Sequence, residues 1–354
     1  MLIFDSHLDL AWNVIDWGRD LSLEISEIRE SEKGLRQPGR GGNTVSLPEM
    51  RKAEVGLAIA TLLAKRVIPK GNPPFVPYEE TRAAYQAGQD QLECYRRMCD
   101  QGDLTWIHNT NELTAHLANW QENSPTAPLG FLLSMEGADS IENPGQLPEW
   151  WEAGLRIIGP AHFGVNQYVH GTGTEGGFKP EGFGLLRGME QAGFILDMTH
   201  LADLAFLEAA DRFGGPILAS HHNSRTLVPG QRQLSDEQMR ILLDRDAVIG
   251  VVLDAWMLTP NWIRGQSTPQ GTRLEAVVDH IDYICQMAGD CSHVGIGSDL
   301  DGGFGIEQTP EDLDTIADLQ KLAPILESRG YSETEIAMIF HGNWISYFQR
   351  SWKA

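Results

Sequence analysis

The chain has 354 residues, 42% of them hydrophobic and 21% charged, and 49 acidic side chains outweigh 27 basic ones for a net charge of −22. That apolar content builds a sizeable core, which excludes wholesale disorder, and no short period runs through the sequence to suggest a collagen or coiled-coil rod. The acidic balance argues against nucleic acid and against an anionic membrane surface as partners, because both require clustered Lys and Arg.

In chain order, eight short apolar, β-branched runs read as strands: residues 2–9, 55–64, 129–136, 155–162, 194–200, 216–221, 248–254 and 294–299. They are near-continuous rather than alternating, the pattern of a parallel sheet covered on both faces. Between them lie amphipathic stretches that predict helices over 79–100 (with Leu92, Tyr95 and Met98 at helical spacing), 184–191, 202–212, 236–243, 273–287 and 310–328. Eightfold strand–helix alternation predicts an α/β fold, a (β/α)8 TIM barrel spanning 1–354 as one domain. A doubly wound open sheet is the alternative, but no GxGxxG follows the first strand.

Two segments exceed a minimal barrel. Residues 13–50 form a long polar insertion after the first strand, readable equally as an active-site lid or a surface excursion. Residues 171–184 (GTGTEGGFKPEGFG) form a Gly-rich loop after the fourth strand. Cys94, Cys99, Cys285 and Cys291 make no CxxC and lie away from the His clusters, so they read as idle thiols. The N-terminus, MLIFDSHLDL, has neither a basic n-region nor a long apolar stretch, and no run approaches the roughly 18 apolar residues of a membrane helix. A cytoplasmic location without membrane attachment is the expectation.

Polar residues at the C-terminal ends of barrel strands read as catalytic. Here the first strand ends in Asp5-Ser6-His7-Leu8-Asp9, the third in Ser134-Met135-Glu136, the fourth in His162, the fifth in Asp197-Met198-Thr199-His200, the sixth in Ser220-His221-His222-Asn223 and the eighth in Ser298-Asp299-Leu300-Asp301. A single His-x-Asp is weak evidence, and a second one, His280-Ile281-Asp282, falls inside a predicted helix. In a strand, however, i and i+2 face the same side, so His7 and Asp9 can point at one ion. Imidazoles and carboxylates converge from strands one, three, five and six, with a further Asp on strand eight. Buried together without a cation they would each need a separate partner; one divalent ion, or a pair, satisfies them at once.

These motifs resemble the renal (membrane) dipeptidase family of the amidohydrolase superfamily, over nearly the whole chain from Asp5 to Gly342-Asn343-Trp344. DSHLD is similar to its Asp-x-His-x-Asp, SMEGAD to its Glu-Gly segment and DMTH to its Asp-x-(Ser/Thr)-His. ASHHNSR is similar to its Ser-His segment, and GIGSDLDG to its Gly-Ile-Gly-x-Asp-x-Asp-Gly. The resemblance implies a zinc-dependent dipeptidase with two Zn2+ per chain: His7 and Asp9 on one ion, His200 and His221 on the other, Glu136 bridging. His221 is chosen over His222 because it directly follows the strand Ser. The resemblance further implies that a hydroxide between the ions attacks the peptide carbonyl and that His162 polarises that carbonyl. Asp299 then shuttles the proton, and Arg232 grips the substrate's terminal carboxylate, with Arg225 a competitor for that role. Asp301 is expected to shape its own Gly-rich loop and Asp197 to orient a ligand. Dipeptides are the expected substrates, including those with a C-terminal D-residue. Family members often dimerise, so a homodimer is an expectation, although no stretch marks an interface. Another amide or lactam hydrolase on the same cage, and a non-catalytic metal-binding barrel, are the alternatives.

Overall fold

A computed structural model of the chain describes residues 1–67, 75–77, 81–124 and 126–352. Eight parallel strands stand at its centre: β1 (Ile3–Leu8), β2 (Val55–Leu62), β3 (Leu129–Glu136), β4 (Leu155–Gly159), β5 (Ile195–Asp197), β6 (Ile217–Leu218), β7 (Ile249–Val251) and β8 (Val294–Ile296). Each pairs with its chain neighbour, β8 returns beside β1, and a bridge between Ala219 and Ile249 closes the ring. This is the predicted α/β barrel.

Alternation along the strands sorts the core. One face points inward: Phe4, Leu57, Leu132, Ile157, Ile195 and Leu218 form a cluster inside the cylinder. The other face, with Ile3, Ala58, Leu133, Leu196 and Ile296, packs against the surrounding helices. The C-terminal helix Asn343–Ser351, which is not among the predicted helices, adds its aromatics to the interior cluster. Trp344 Nε1 donates to Ile296 O at 3.2 Å, the Tyr347 hydroxyl donates to Ile217 O at 2.7 Å, and Phe348 stacks on Phe4 at 5.6 Å.

Five of the predicted helices lie within a few residues of their expected bounds: Thr81–Asp100, Pro180–Ala192, Asp203–Arg212, Asp236–Asp244 and Leu274–Ala288. Residues 79 and 80, the expected start of the first, lie outside the described residues. The sixth is corrected. Residues 310–315 are irregular, Ile316–Lys321 is 3-10 and only Leu322–Ser328 is α-helical. Thr315 caps the 3-10 turn from its side chain, and Pro324 has no N–H to bond the carbonyl of Gln320. A short strand, Leu104–Trp106, pairs with the first residues of β3, where β4 does not reach because its pairing begins at Leu133.

Except for β3, the strands are shorter than expected at their C-terminal ends. His200 and Asp299 adopt φ of 65° and 58°, a left-handed conformation that breaks the ladder and turns each side chain over the barrel mouth. Gly302 makes room for this: a Cβ there would overlap the Asp299 carboxylate.

The insertion after β1 is folded. Ile25–Ser31 is a helix started by a Glu24 capping box, and Leu47–Lys52 one capped by Ser46. Its anchor is the buried Arg19, which pairs with Glu32 at 2.9 Å and with Asp301 at 3.1 Å. Asp301 also accepts hydrogen bonds from the Thr44 and Val45 amides and the Thr44 hydroxyl. Asp301 therefore ties the insertion to the strand-eight loop, where the sequence suggested only a role in its own turn. Arg19→Met leaves Asp301 buried without its cation and Glu32 with Arg40 alone, and is expected to lower the unfolding free energy by about 3–5 kcal/mol. Chemical denaturation at neutral pH reads this, and a loss below about 1 kcal/mol, the size of an exposed pair, contradicts it.

Candidate metal centre

The strand ends deliver His7, Asp9, Glu136, His162, His200 and His221 to one place, all buried, with Asp299 at the same mouth. Two carboxylates fix the frame beneath them. Asp5 accepts from the Ser298 hydroxyl, from the Ser298 amide at 2.9 Å and from the His7 amide at 3.2 Å, which locks the His7 turn to the Asp299 turn. Asp197 does the same on the opposite side, accepting from the Thr199 and Ser220 amides at 3.0 and 3.1 Å, and so couples the His200 and His221 turns. Asp197 thus acts through backbone amides and not by touching an imidazole.

The imidazoles present their Nε2 atoms to Glu136. His200 Nε2 lies 3.0 Å and His221 Nε2 3.4 Å from Glu136 Oε1, while His7 Nε2 and His162 Nε2 each lie 3.8 Å from Glu136 Oε2. His7 Nε2 is also 3.8 Å from Asp9 Oδ2 and from Asp299 Oδ1. The far nitrogens are held from behind. His200 Nδ1 meets Thr172 Oγ1 at 2.9 Å and His221 Nδ1 meets Ser220 Oγ at 2.9 Å. With those hydroxyls accepting from Nδ1–H, both rings turn a lone pair inward.

These residues fit a metal. Burial, with Arg232 and neighbouring imidazoles adding to it, holds His200 and His221 well below the ordinary imidazole range, so both are neutral. Their Nε2 atoms face each other at 3.3 Å beside an oxygen of Glu136, three donor atoms that one cation can take together. A tetrahedral ion with bonds of about 2.1 Å sets its ligand atoms roughly 3.4 Å apart, which matches this spacing. His7 Nε2 and Asp9 Oδ1 are buried and have no hydrogen-bond partner among the described residues. Burial disfavours a charged His7, but Glu136, Asp9 and Asp299 outweigh it and lift its pKa to about 10. Burial raises Glu136 to about 7. The cluster therefore demands positive charge, which a proton on His7 supplies only in part.

The other expected residues line or flank the same pocket, an empty space of about 440 Å3 open to solvent. Arg232 is buried, donates to His221 O at 3.0 Å and faces His222 Nδ1 at 3.2 Å. Arg225 instead pairs with Asp203 at 2.7 Å. His222 turns from the cluster, its amide on Gly250 O. Beside them, in the loop after His162, Asn166 is a structural residue that donates to Pro160 O and accepts from the Tyr168 and Val169 amides. Burial first, and then the neighbouring carboxylates, push Asp299 well above the usual carboxylate range. No residue of 13–50 is among the described residues lining the pocket.

Sequence reasoning missed Asp254, Trp256 and Arg264, all in the pocket wall. Asp254 follows the seventh strand, which like the second offers no candidate among the strand-end residues named above, and burial lifts it to about 6. Arg264 sits in an irregular segment after a short helix, Ala255–Leu258, and carried no signal.

A family model described as membrane dipeptidase, peptidase family M19, matches residues 1–352. A Klebsiella pneumoniae protein encoded in the pqqA 5′ region is 29% identical over 236 residues, which is 64% of this chain and 83% of that one. Two solved structures share the fold. A dipeptidase of metallopeptidase family M19 superposes with a TM-score of 0.80 at 22% identity, covering 100% of this chain and 99% of its own. A metallopeptidase from Rhodobacter sphaeroides, liganded with a phosphinate mimic of L-Ala-D-Ala, superposes with a TM-score of 0.79 at 20% identity, covering 99% of each chain.

Proposed function

The chain belongs to the membrane dipeptidase family, and on that premise we propose that it is a dipeptidase working with two zinc ions, one on His7 and Asp9, the other on His200 and His221, with Glu136 shared. The observation that carries this reading is the division of the Glu136 carboxylate, Oε1 toward His200 and His221 and Oε2 toward His7. Among the described residues no helix is long and apolar enough to cross a membrane.

When bound, the cations supply Lewis-acid charge that polarises a carbonyl and eases deprotonation of water. The chain's residues do the rest. Arg232 holds the substrate's free carboxylate with its planar fork, which favours very short peptides over proteins. His162 Nε2 aims at the carbonyl oxygen and stabilises the charge that develops there. Asp299 takes the proton of the attacking water on its carboxylate and returns it to the leaving amine. The insertion 13–50 serves this step indirectly, since Arg19, Thr44 and Val45 hold Asp301 two residues beyond Asp299. The Rhodobacter sphaeroides relative is liganded with an L-Ala-D-Ala mimic, and the present chain is proposed to accept a D-residue at the C-terminal position as well.

The test is a panel of dipeptides, L-Xaa–D-Ala included, given to the zinc-loaded protein, with amino-acid release measured. Release is expected; none from any member, with metal bound, overturns the reading in favour of a non-catalytic barrel. Metal uptake gives a second, independent expectation. Ligand imidazoles and carboxylates bind deprotonated, so loading at pH 8 must expel the proton that His7, at about 10, still holds. Glu136, at about 7, is already largely ionised there and holds a proton only at lower pH. Zinc affinity should therefore fall as pH falls, and calorimetry in two buffers of different ionisation enthalpy should show protons released on binding. No proton release contradicts this ligand set.

A further inference from the structure

Arg232 is not the only guanidinium in the pocket wall. Arg264 lies at the mouth, its side chain 42% exposed, where Arg232 is buried deeper. Three neighbours fix it. Trp256 and Phe163 offer ring faces at 5.1 and 6.0 Å from the guanidinium carbon, and Asp254 Oδ2 lies 3.6 Å from the Arg264 Nη2. At that distance Asp254 makes a charge contact and not a hydrogen bond. Asp254 is otherwise occupied: it accepts from the Trp256 amide, and Gln308 Nε2 lies 2.8 and 2.9 Å from its two oxygens. The carboxylate therefore positions Arg264 without using up its fork of donors, and the aromatic faces stiffen it against the entropy cost of binding.

We propose that Arg264 is a specificity-determining residue that receives the acidic side chain of a dipeptide carrying Asp or Glu. The inference rests on the dipeptidase reading and deepens it. A dipeptide has one backbone carboxylate, which Arg232 takes, so a second arginine in the same pocket calls for a second anion on the substrate. The field agrees. With two dications in place, they and the two arginines outweigh the carboxylates of Asp9, Glu136, Asp254 and Asp299, and the pocket of this strongly acidic chain turns locally positive. A neutral dipeptide leaves Arg264 over its aromatic wall; an acidic one gains a charge-assisted, bidentate contact.

The experiment compares kcat/KM of the zinc-loaded protein for Ala-Asp, Ala-Glu, Asp-Ala and Glu-Ala, each with either enantiomer at the C-terminal position, against Ala-Ala. At least one acidic series is expected to exceed Ala-Ala by about tenfold, mainly through a lower KM. In Arg264→Gln the acidic-to-neutral ratio should collapse to about one, and Arg264→Lys should keep part of it, because charge survives and the fork does not. Thermal unfolding of each variant identifies loss of fold, and raising the salt should shrink the native preference. A native ratio near one, or a ratio that survives in Arg264→Gln, overturns the inference while Ala-Ala turnover leaves the dipeptidase reading standing. No turnover of any dipeptide overturns both.

Discussion

Asp299→Asn is expected to lower kcat by about three orders of magnitude, near the middle of the range for a positioned acid–base group, while zinc content is retained. Burial and the surrounding carboxylates hold Asp299 far above its ordinary pKa. Its Oδ1 stands 3.8 Å from His7 Nε2, close to the cluster yet outside the five proposed ligands. An amide of the same shape keeps the packing of the turn, including the space that Gly302 leaves for it, and removes only the capacity to accept and return a proton. The loss should therefore appear in kcat at constant metal, with KM for a neutral dipeptide changed little. Turnover that survives the substitution would falsify the proton-shuttle assignment, and loss of metal would make Asp299 a ligand instead.

Glu136→Gln is expected to have an effect of another kind, the loss of both ions. Each proposed ion has two side chains of its own and shares this carboxylate, so one substitution weakens both halves. Removing even an outer-shell partner costs about 10–100-fold in metal affinity, so loss of a shared ligand should cost at least about 100-fold for each ion. Activity should fall with it. His221→Ala offers the contrast: one ion should leave and the other stay, since His7, Asp9 and Glu136 remain. Metal analysis after dialysis against a weak chelator separates the cases. If Glu136→Gln retained one ion at native affinity, the bridging role would fail and Glu136 would belong to a single site.

Much of this was legible in the sequence, for a physical reason. Strands of a parallel barrel are buried on both faces, so β1 to β8 announced themselves as apolar runs, and β3 was read with its bounds intact. Polar residues that end such runs stand out, which is how His7, Glu136, His200 and His221 were found. What local pattern could not give were contacts made across the chain. The Asp301 carboxylate reaches Thr44, 257 positions away, so it read as a turn residue. The short strand Leu104–Trp106 exists because β4 leaves part of β3 unpaired. His221 and His222 are adjacent, and only the backbone turn at the barrel mouth aims the first at Glu136 and leaves the second beside Arg232. Asp254 did carry a signal, a carboxylate closing the seventh apolar run; Arg264 acquires its place through Trp256, Phe163 and Asp254 alone.

The most direct test strips the protein with chelator and titrates zinc back while counting bound ions and following dipeptide cleavage in the same samples. The account expects no cleavage from the stripped chain, saturation at two ions per chain and full activity only as the second ion fills. Cleavage by the metal-free protein, or full activity and saturation at one ion per chain, would contradict the shared cation pair on which every assigned role depends.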